Sequence, residues 1–271
     1  MILNEFPQAL RRLGIPDGTP VIAHASLSAY GEIPGGAAAL VDTLLAEYRT
    51  LVMPVFTFRT LLTPECGPAN NGLTYGSERD LNRMAVFFSP DLPAGRLMGQ
   101  SAETLRRQPS AHRSMHPILS FTGVGADAIL SAQTLDEPLA PIAQLTDQEG
   151  WVLLLGVNHT TNTSIHYAER LAGRKTFTRW ALTPSGVAQC PNYPGCSDGF
   201  EALAPDLELV TRRTRVGSGL IQAFPLRELV DRVRRYLEKD PLGLLCPRAE
   251  CARCDAVRAA ADQALRLRSA E

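Results

Sequence analysis

The sequence has almost no net charge: 27 Lys+Arg offset 28 Asp+Glu, leaving −1 over 271 residues. That excludes a dedicated nucleic-acid binder, which needs a basic surface to displace counterions from phosphates. Long apolar runs are lacking too. The longest clean one, residues 151–157, is far short of the roughly 20 residues that cross a bilayer, so no membrane role is expected. The opening MILNEFPQALRRLG lacks the charge-then-apolar order of a signal peptide. Cysteine is scarce, and six residues do not make a disulfide scaffold in a chain long enough to bury a core. Repeats and low-complexity tracts are missing. With 45% apolar and 20% charged residues, the chain has neither the low hydrophobicity nor the net charge of extended disorder. These absences leave a soluble globular protein, expected in the cytoplasm.

What is present is unevenly distributed. Cys66 stands alone, and the other cysteines fall in the last third, whereas His24, His112, His116, His159 and His166 all precede residue 170. The split predicts a chemical first two-thirds and a structural last third. Phe6, Leu10 and Leu13 lie at helical spacing before Gly14 and Pro16, an ordinary helix stop. Val21-Ile22-Ala23-His24 reads as a short strand. Pro34-Gly35-Gly36 opens a helix whose Ala37, Leu40, Val41, Leu44 and Leu45 form one stripe. Residues 51–56, apolar without alternation, read as a buried strand, and 60–100, rich in Gly, Pro and Asn, as a long irregular lid or wall. A helix over 102–107, strands over 118–121 and 151–157, and a helix over 164–171 follow. Past residue 185 the chain turns polar and proline-broken, then returns to helices with stripes at Leu226, Leu229, Val230, Val233 and Leu237 and at 256–267. The expected fold class is α/β: a single domain with one mixed sheet flanked by helices and a smaller C-terminal loop/helix subregion.

Three clusters carry chemistry. In the first, the 151–157 strand runs into Asn158-His159-Thr160-Thr161-Asn162-Thr163 and a helix bearing His166 and Glu169. Ligands in open α/β sheets bind beyond the carboxyl ends of strands, and helix N-termini offer free N–H groups to developing negative charge. His166 and Glu169, three apart, share a helix face, where Glu169 would hold the imidazole and Thr163 would supply a hydroxyl. The plainer alternative is a packed histidine, a capping threonine and a solvated carboxylate. A metal site of His166 and Glu169 with His159 lacks the usual two-histidine helical spacing. The second cluster, His112-Arg113-Ser114-Met115-His116-Pro117, suits a phosphate, carboxylate or thioester carbonyl, or else is a turn with His116 buried. The third, His24-Ala25-Ser26-Leu27-Ser28 with Gly35-Gly36 beyond, suits an anion at a helix start.

Together these pieces resemble the aminoglycoside 3-N-acetyltransferase family. The resemblance is carried by HASLSAYG and the Gly-Gly helix, LVMPVFTF, LMGQSAETLRRQPSAHRSMHPILSFTGVGADA, EPLAPIAQL and WVLLLGVNHTTNTSIHYAE, from about residue 5 to residue 180. It implies transfer of acetyl from acetyl-CoA to an amine, in an aminoglycoside or a related small molecule. His166 matches the catalytic base, Glu169 its supporting carboxylate, and Asn162 and Thr163 the polar pair beside the thioester. Ser26, Leu27 and Ser28 match the stretch along the pantetheine arm, and Arg113, Ser114 and His116 the other coenzyme wall. Residues 1–185 would then be the coenzyme-A and catalytic region, and 186–271 a cysteine-containing subregion. The resistance enzymes bind polycations, so Asp198, Glu201, Asp206 and Glu208 are expected to line an acceptor pocket. The insertion around 65–83 departs from the family pattern and bears on the acceptor.

Cys190 and Cys196, with Cys246-x4-Cys251-x2-Cys254, have spacings that suit a tetrahedral structural zinc. Only four of the five can be ligands, and reduced core cysteines or a disulfide are the alternatives. The stripe Arg227, Arg232, Arg234 and Arg235 reads as a solvated helix face. Competing functions are a zinc-dependent hydrolase and a non-catalytic acyl-CoA-binding protein. The acceptor, its regiochemistry and the oligomeric state, a homodimer included, are left open by the sequence.

Overall fold

The computed structural model describes the backbone of residues 2–268 and the side chains of residues 3–263. Helix α1 (Phe6–Arg12) stops at Gly14, whose φ of +60° breaks the turn. There follow β1 (Val21–Ala25), α2 (Gly36–Glu47) and β2 (Leu51–Pro54), close to the elements that their apolar spacing predicts. The 60–100 excursion holds only β3 (Leu61–Leu62) and α3 (Arg79–Arg83) before α4 (Gly99–Arg106). Next come β4 (Ala111–Arg113), β5 (Phe121–Val124), α5 (Asp127–Ser131), α6 (Ala140–Asp147), β6 (Trp151–Leu155) and α7 (Ser164–Leu171). The last third contributes β7 (Phe177–Thr183), β8 (Gly186–Tyr193), α8 (Ala204–Leu207), β9 (Arg212–Val216), β10 (Gly219–Pro225), α9 (Leu226–Lys239) and α10 (Ala252–Arg268).

Seven strands form one mixed sheet in the order β4-β5-β2-β1-β6-β10-β9, with β2, β1 and β6 parallel and the outer pairs antiparallel. A second, antiparallel sheet runs β3-β7-β8. The central strands read as unbroken apolar runs because both faces are covered. Trp151, Leu153 and Leu155 face a core shared with α1, α2 and α4, while Val152 and Leu154 face one shared with α6, α7 and α9. On α9 the stripe Leu226, Leu229, Val230, Val233 and Leu237 is buried. Arg227, Arg234 and Arg235 are exposed on its other side, and Arg232 is half-buried beside Glu228. Among the described residues no helix is long and apolar enough to cross a membrane.

Three expectations change. The strand placed at 118–121 begins only at Phe121, because His116 Nδ1 accepts the Ile118 and Leu119 N–H groups at 3.1 and 2.9 Å and curls the chain there. The C-terminal part is no loop/helix appendage: β10 pairs with β6 from Ile221↔Leu155 to Pro225↔Trp151, and β9 extends the same sheet. The proline-broken segment also forms β8, where Pro191 is tolerated because an edge strand has a side on which no N–H is needed. The stripe at 256–267 starts with buried Ala256 and Val257, and its far end lies outside the described side chains.

Strand β6 ends at Gly156, where φ is +66° and an added Cβ would lie 2.4 Å from the Ala29 Cβ and 2.9 Å from the Ser26 carbonyl oxygen. Gly156→Ala should therefore lower stability by at least about 2 kcal/mol in urea unfolding. An unchanged midpoint would show that the loop relaxes freely.

Candidate active site

The three parallel strands end on the same side of the sheet, and a cavity of about 960 Å³ opens there. Its walls come from the end of β1 (Ala25, Ser26, Leu27, Ser28), the end of β2 (Pro54, Phe56), the loop after β6 (Thr160 to Thr163) and the first turns of α7. Position beyond strand carboxyl ends is where open α/β sheets bind ligands.

His166 lines this cavity from α7. Its Nδ1 lies 2.8 Å from Glu169 Oε2, one turn along the same helix. A carboxylate only accepts, so Nδ1–H donates, and in the neutral ring the lone pair is then on Nε2. Glu169 Oε1 accepts from Arg174 Nη1 at 2.9 Å, and Arg174 Nη2 donates to the carbonyls of Pro241 and Gly243 at 2.8 and 2.7 Å. The three side chains are 10%, 6% and 6% exposed, so the relay is sheltered throughout. The Phe200 ring stands edge-on to the imidazole, centroids 4.7 Å apart. Beside the imidazole, Asn162 Oδ1 accepts the Ser164 N–H at 3.2 Å while its Nδ2 is buried without a partner among the described residues. Thr163 precedes the helix without a side-chain capping bond, leaving its hydroxyl free of that task.

Ser26, Leu27 and Ser28 line the cavity, with the two serine hydroxyls 2.9 Å apart. Arg113, Ser114 and His116 do not. Arg113 donates to the carbonyls of Val55 and Pro90 at 3.0 and 2.9 Å and also to that of Leu92, tying a loop to the end of β2. Ser114 Oγ accepts the Phe121 N–H at 2.8 Å. His116 acts on the backbone of Leu119, which does line the cavity. Their polar atoms are thus engaged with the backbone that shapes the wall. The acidic acceptor wall is corrected: only Asp198 lines the cavity, and it is paired with Arg248. Glu201 accepts the His159 N–H at 2.9 Å, Glu208 pairs with Arg213 at 2.8 Å, and Asp206 is exposed.

His24 lines the cavity with His166, but His159 does not join them. His159 is buried against Phe224, ring centroids 5.4 Å apart, and lies outside the cavity lining. A hydrolase-type metal site at His159, His166 and Glu169 is therefore not assembled. Among the described residues the one such grouping is Cys196, Cys246, Cys251 and Cys254, whose Sγ atoms all lie within 4.8 Å of one another. Cys190 is excluded, fully buried in β8 with its thiol near the Ala188 carbonyl. Burial pushes the thiols of Cys196 and Cys254 up, whereas hydrogen bonds bring that of Cys246 down to about 7; four thiolates this close together, three of them buried, would need a compensating cation.

Some functional neighbours have weak sequence signals. Arg174 lies just past the end of α7, five residues from Glu169, and spacing alone does not distinguish it from other surface arginines. Phe200, Tyr193, Ser197 and Arg253 reach the site only because the last third folds back over it, so the division into chemical and structural parts does not hold.

Burial pushes both His24 and His116 down to about 4 from the ordinary 6.5. The unfolded chain therefore binds more protons between those values, and stability falls as pH drops through them. Lowering pH from 7 to 5 should cost about 2 kcal/mol per ring in urea unfolding, and His24→Gln should remove about half of the combined loss. A pH-independent midpoint across that interval would contradict this.

The sequence profile of the aminoglycoside 3-N-acetyltransferase family matches residues 22–238. The SPbeta prophage-derived aminoglycoside N(3')-acetyltransferase-like protein YokD of Bacillus subtilis (strain 168) is 34% identical over 250 residues, which cover 86% of this chain and 91% of that one. Aminoglycoside N(3)-acetyltransferase III of Salmonella sp is 28% identical over 264 residues, 86% of this chain and 90% of that one. Among solved structures, a variant of aminoglycoside acetyltransferase AAC(3)-IVa in complex with gentamicin superposes with a TM-score of 0.74 at 25% identity, covering 94% of this chain and 95% of that one. With the profile spanning most of its length and a 34%-identical relative matched over 91% of that relative's length, the chain belongs to the aminoglycoside 3-N-acetyltransferase family.

Proposed function

We propose that this protein transfers acetyl from acetyl-CoA to an amine of an aminoglycoside or a related small molecule, by direct attack. The observation that carries this reading is the His166–Glu169 pair, set in a large cavity at the strand ends of a chain of this family. The substrate ammonium first loses one proton to solvent; as the resulting amine attacks, His166 Nε2 takes the second proton from its nitrogen, and the Nδ1–H···Glu169 bond stabilises the imidazolium that results. The amine nitrogen forms a bond to the thioester carbonyl carbon. The oxyanion then meets the Thr163 hydroxyl and the unpartnered Asn162 Nδ2, a class of contact worth about 2.7–4 kcal/mol per donor. Collapse breaks the C–S bond, and the imidazolium returns a proton to the departing coenzyme-A thiolate.

Ser26 to Ser28 would lie along the pantetheine arm. Among the described residues no cysteine lines the cavity, which favours direct transfer over a covalent acyl-enzyme. Six unpaired cysteines support a reducing, cytoplasmic setting. Cys196, Cys246, Cys251 and Cys254 would hold one zinc ion in a closed, structural site with no position left for substrate.

Coenzyme-A thiol release should depend on an added amine, with gentamicin among the first to try. His166→Ala should lower kcat about 10²–10⁴-fold while coenzyme A still binds. Binding without amine-dependent release would favour the non-catalytic reading, and no binding would sink the transfer itself. Metal analysis of the purified protein should give one zinc per chain, retained in Cys190→Ala and lost in Cys251→Ser.

A further inference from the structure

The four-cysteine cluster and the cavity share a wall. Cys196 stands between Gly195 and Ser197, and Arg253 stands between Cys251 and Cys254; Gly195, Ser197 and Arg253 all line the cavity. Arg253 Nη1 donates to the Gly195 carbonyl at 2.8 Å, so the two thiol-bearing segments are joined at the cavity itself. Few other side chains pack on the thiols themselves. Residues 241–251 contain no helix or strand, and among the described residues Leu245 is the one non-cysteine hydrophobic side chain packed on the buried thiols. Tyr193, Leu244, Ala256 and Val257 anchor the ends of these segments in the main core, and between those anchors the four sulfur atoms meet.

Arg253 is half-buried, and among the described residues it has no carboxylate partner. Arg96, also on the lining, has none either. The one carboxylate on the lining that this segment offers, Asp198, is held by Arg248. A guanidinium left uncompensated on the wall of a coenzyme-A cavity matches that ligand's phosphates, which it can bind through paired N–H groups. The His166–Glu169 contact itself lies within α7, and its tie to this segment runs through Arg174 to the Pro241 and Gly243 carbonyls, ahead of the cysteines.

We propose that the metal held by Cys196, Cys246, Cys251 and Cys254 clamps Arg253 and the 193–198 segment in place, and that Arg253 so held binds a phosphate of coenzyme A. Metal occupancy then sets coenzyme-A affinity without entering the chemistry. This rests on the zinc reading above.

The test is calorimetric binding of coenzyme A, and of pantetheine as the same arm without phosphates. It compares zinc-loaded enzyme, enzyme stripped by a chelator, the same sample reloaded with zinc, and zinc-loaded Arg253→Ala. The expected result is coenzyme-A affinity weaker by at least about tenfold after stripping and in Arg253→Ala. Zinc should restore the stripped sample, and pantetheine should bind equally throughout. If the protein neither contains nor takes up zinc, the zinc reading fails and this inference with it. If zinc is present and coenzyme-A affinity is indifferent to its removal, the clamp is overturned and the zinc reading stands. Equal weakening of coenzyme A and pantetheine overturns the phosphate assignment. Should the stripped protein unfold, zinc-loaded Arg253→Ala decides alone: weaker coenzyme-A binding at full zinc content supports the proposal, and unchanged binding overturns it.

Discussion

The parallel pairing of β1 with β6, in register from Val21↔Trp151 to Ala25↔Leu155, is the constraint on which the site depends. It joins segments 130 residues apart, a separation that follows from those paired numbers. Because the strands run the same way and end together, residues 26–28 and 156–163 leave the sheet side by side, and the N-terminus of α7 is delivered to the edge of the cavity. A register slip of one residue would turn every side chain of β6 to the opposite face, exchanging Val152 and Leu154 for Leu153 and Leu155 beneath α7. Two distinct cores, one on each face, make that exchange costly, and so the geometry at the strand ends is inherited from packing far below it.

Upon that frame the His166–Glu169 pair adds a second, local constraint. Glu169 is shared: one oxygen holds the imidazole and the other is held by Arg174, which in turn is fixed by two carbonyls after α9. A histidine positioned by only one flexible partner would sample several rotamers. Here the carboxylate is gripped from both sides, and the ring is bounded by Phe200. The imidazole is thus oriented by residues from three separated stretches, of which only the first lies inside the conspicuous motif.

How much of this is legible in the sequence depends on the range of the interaction. Elements defined by local pattern come through: α2 from Leu40, Val41 and Leu44, α7 as Ser164–Leu171, and the stripe of α9. The His166–Glu169 contact is also legible, because three-residue spacing on a helix fixes the geometry before any tertiary contact forms. What escapes the sequence is long-range. Nothing in the composition of 219–225 announces pairing with β6, and nothing around residue 200 announces contact with His166. Spacing could not choose among five cysteines, since the decision turns on β8 burying Cys190 in the core while the turn after it brings Cys196 to the other three. The cluster at 112–116 is ambiguous in the sequence for a related reason. Charged and hydroxyl side chains suit a ligand and a tight turn equally well, and here they satisfy backbone donors and acceptors.

The edges of the two sheets have a bearing on how the chain behaves in a crowded solution. An unpaired strand edge is a template on which another copy can add a strand. The large sheet ends on one side at β9, which carries Arg212, Arg213 and Arg215, and on the other at the three-residue β4. The small sheet ends at the two-residue β3 and at β8, where Pro191 offers no N–H. Charge, brevity and a missing donor each make strand addition unfavourable, so the folded protein carries its own protection against growing into a fibre.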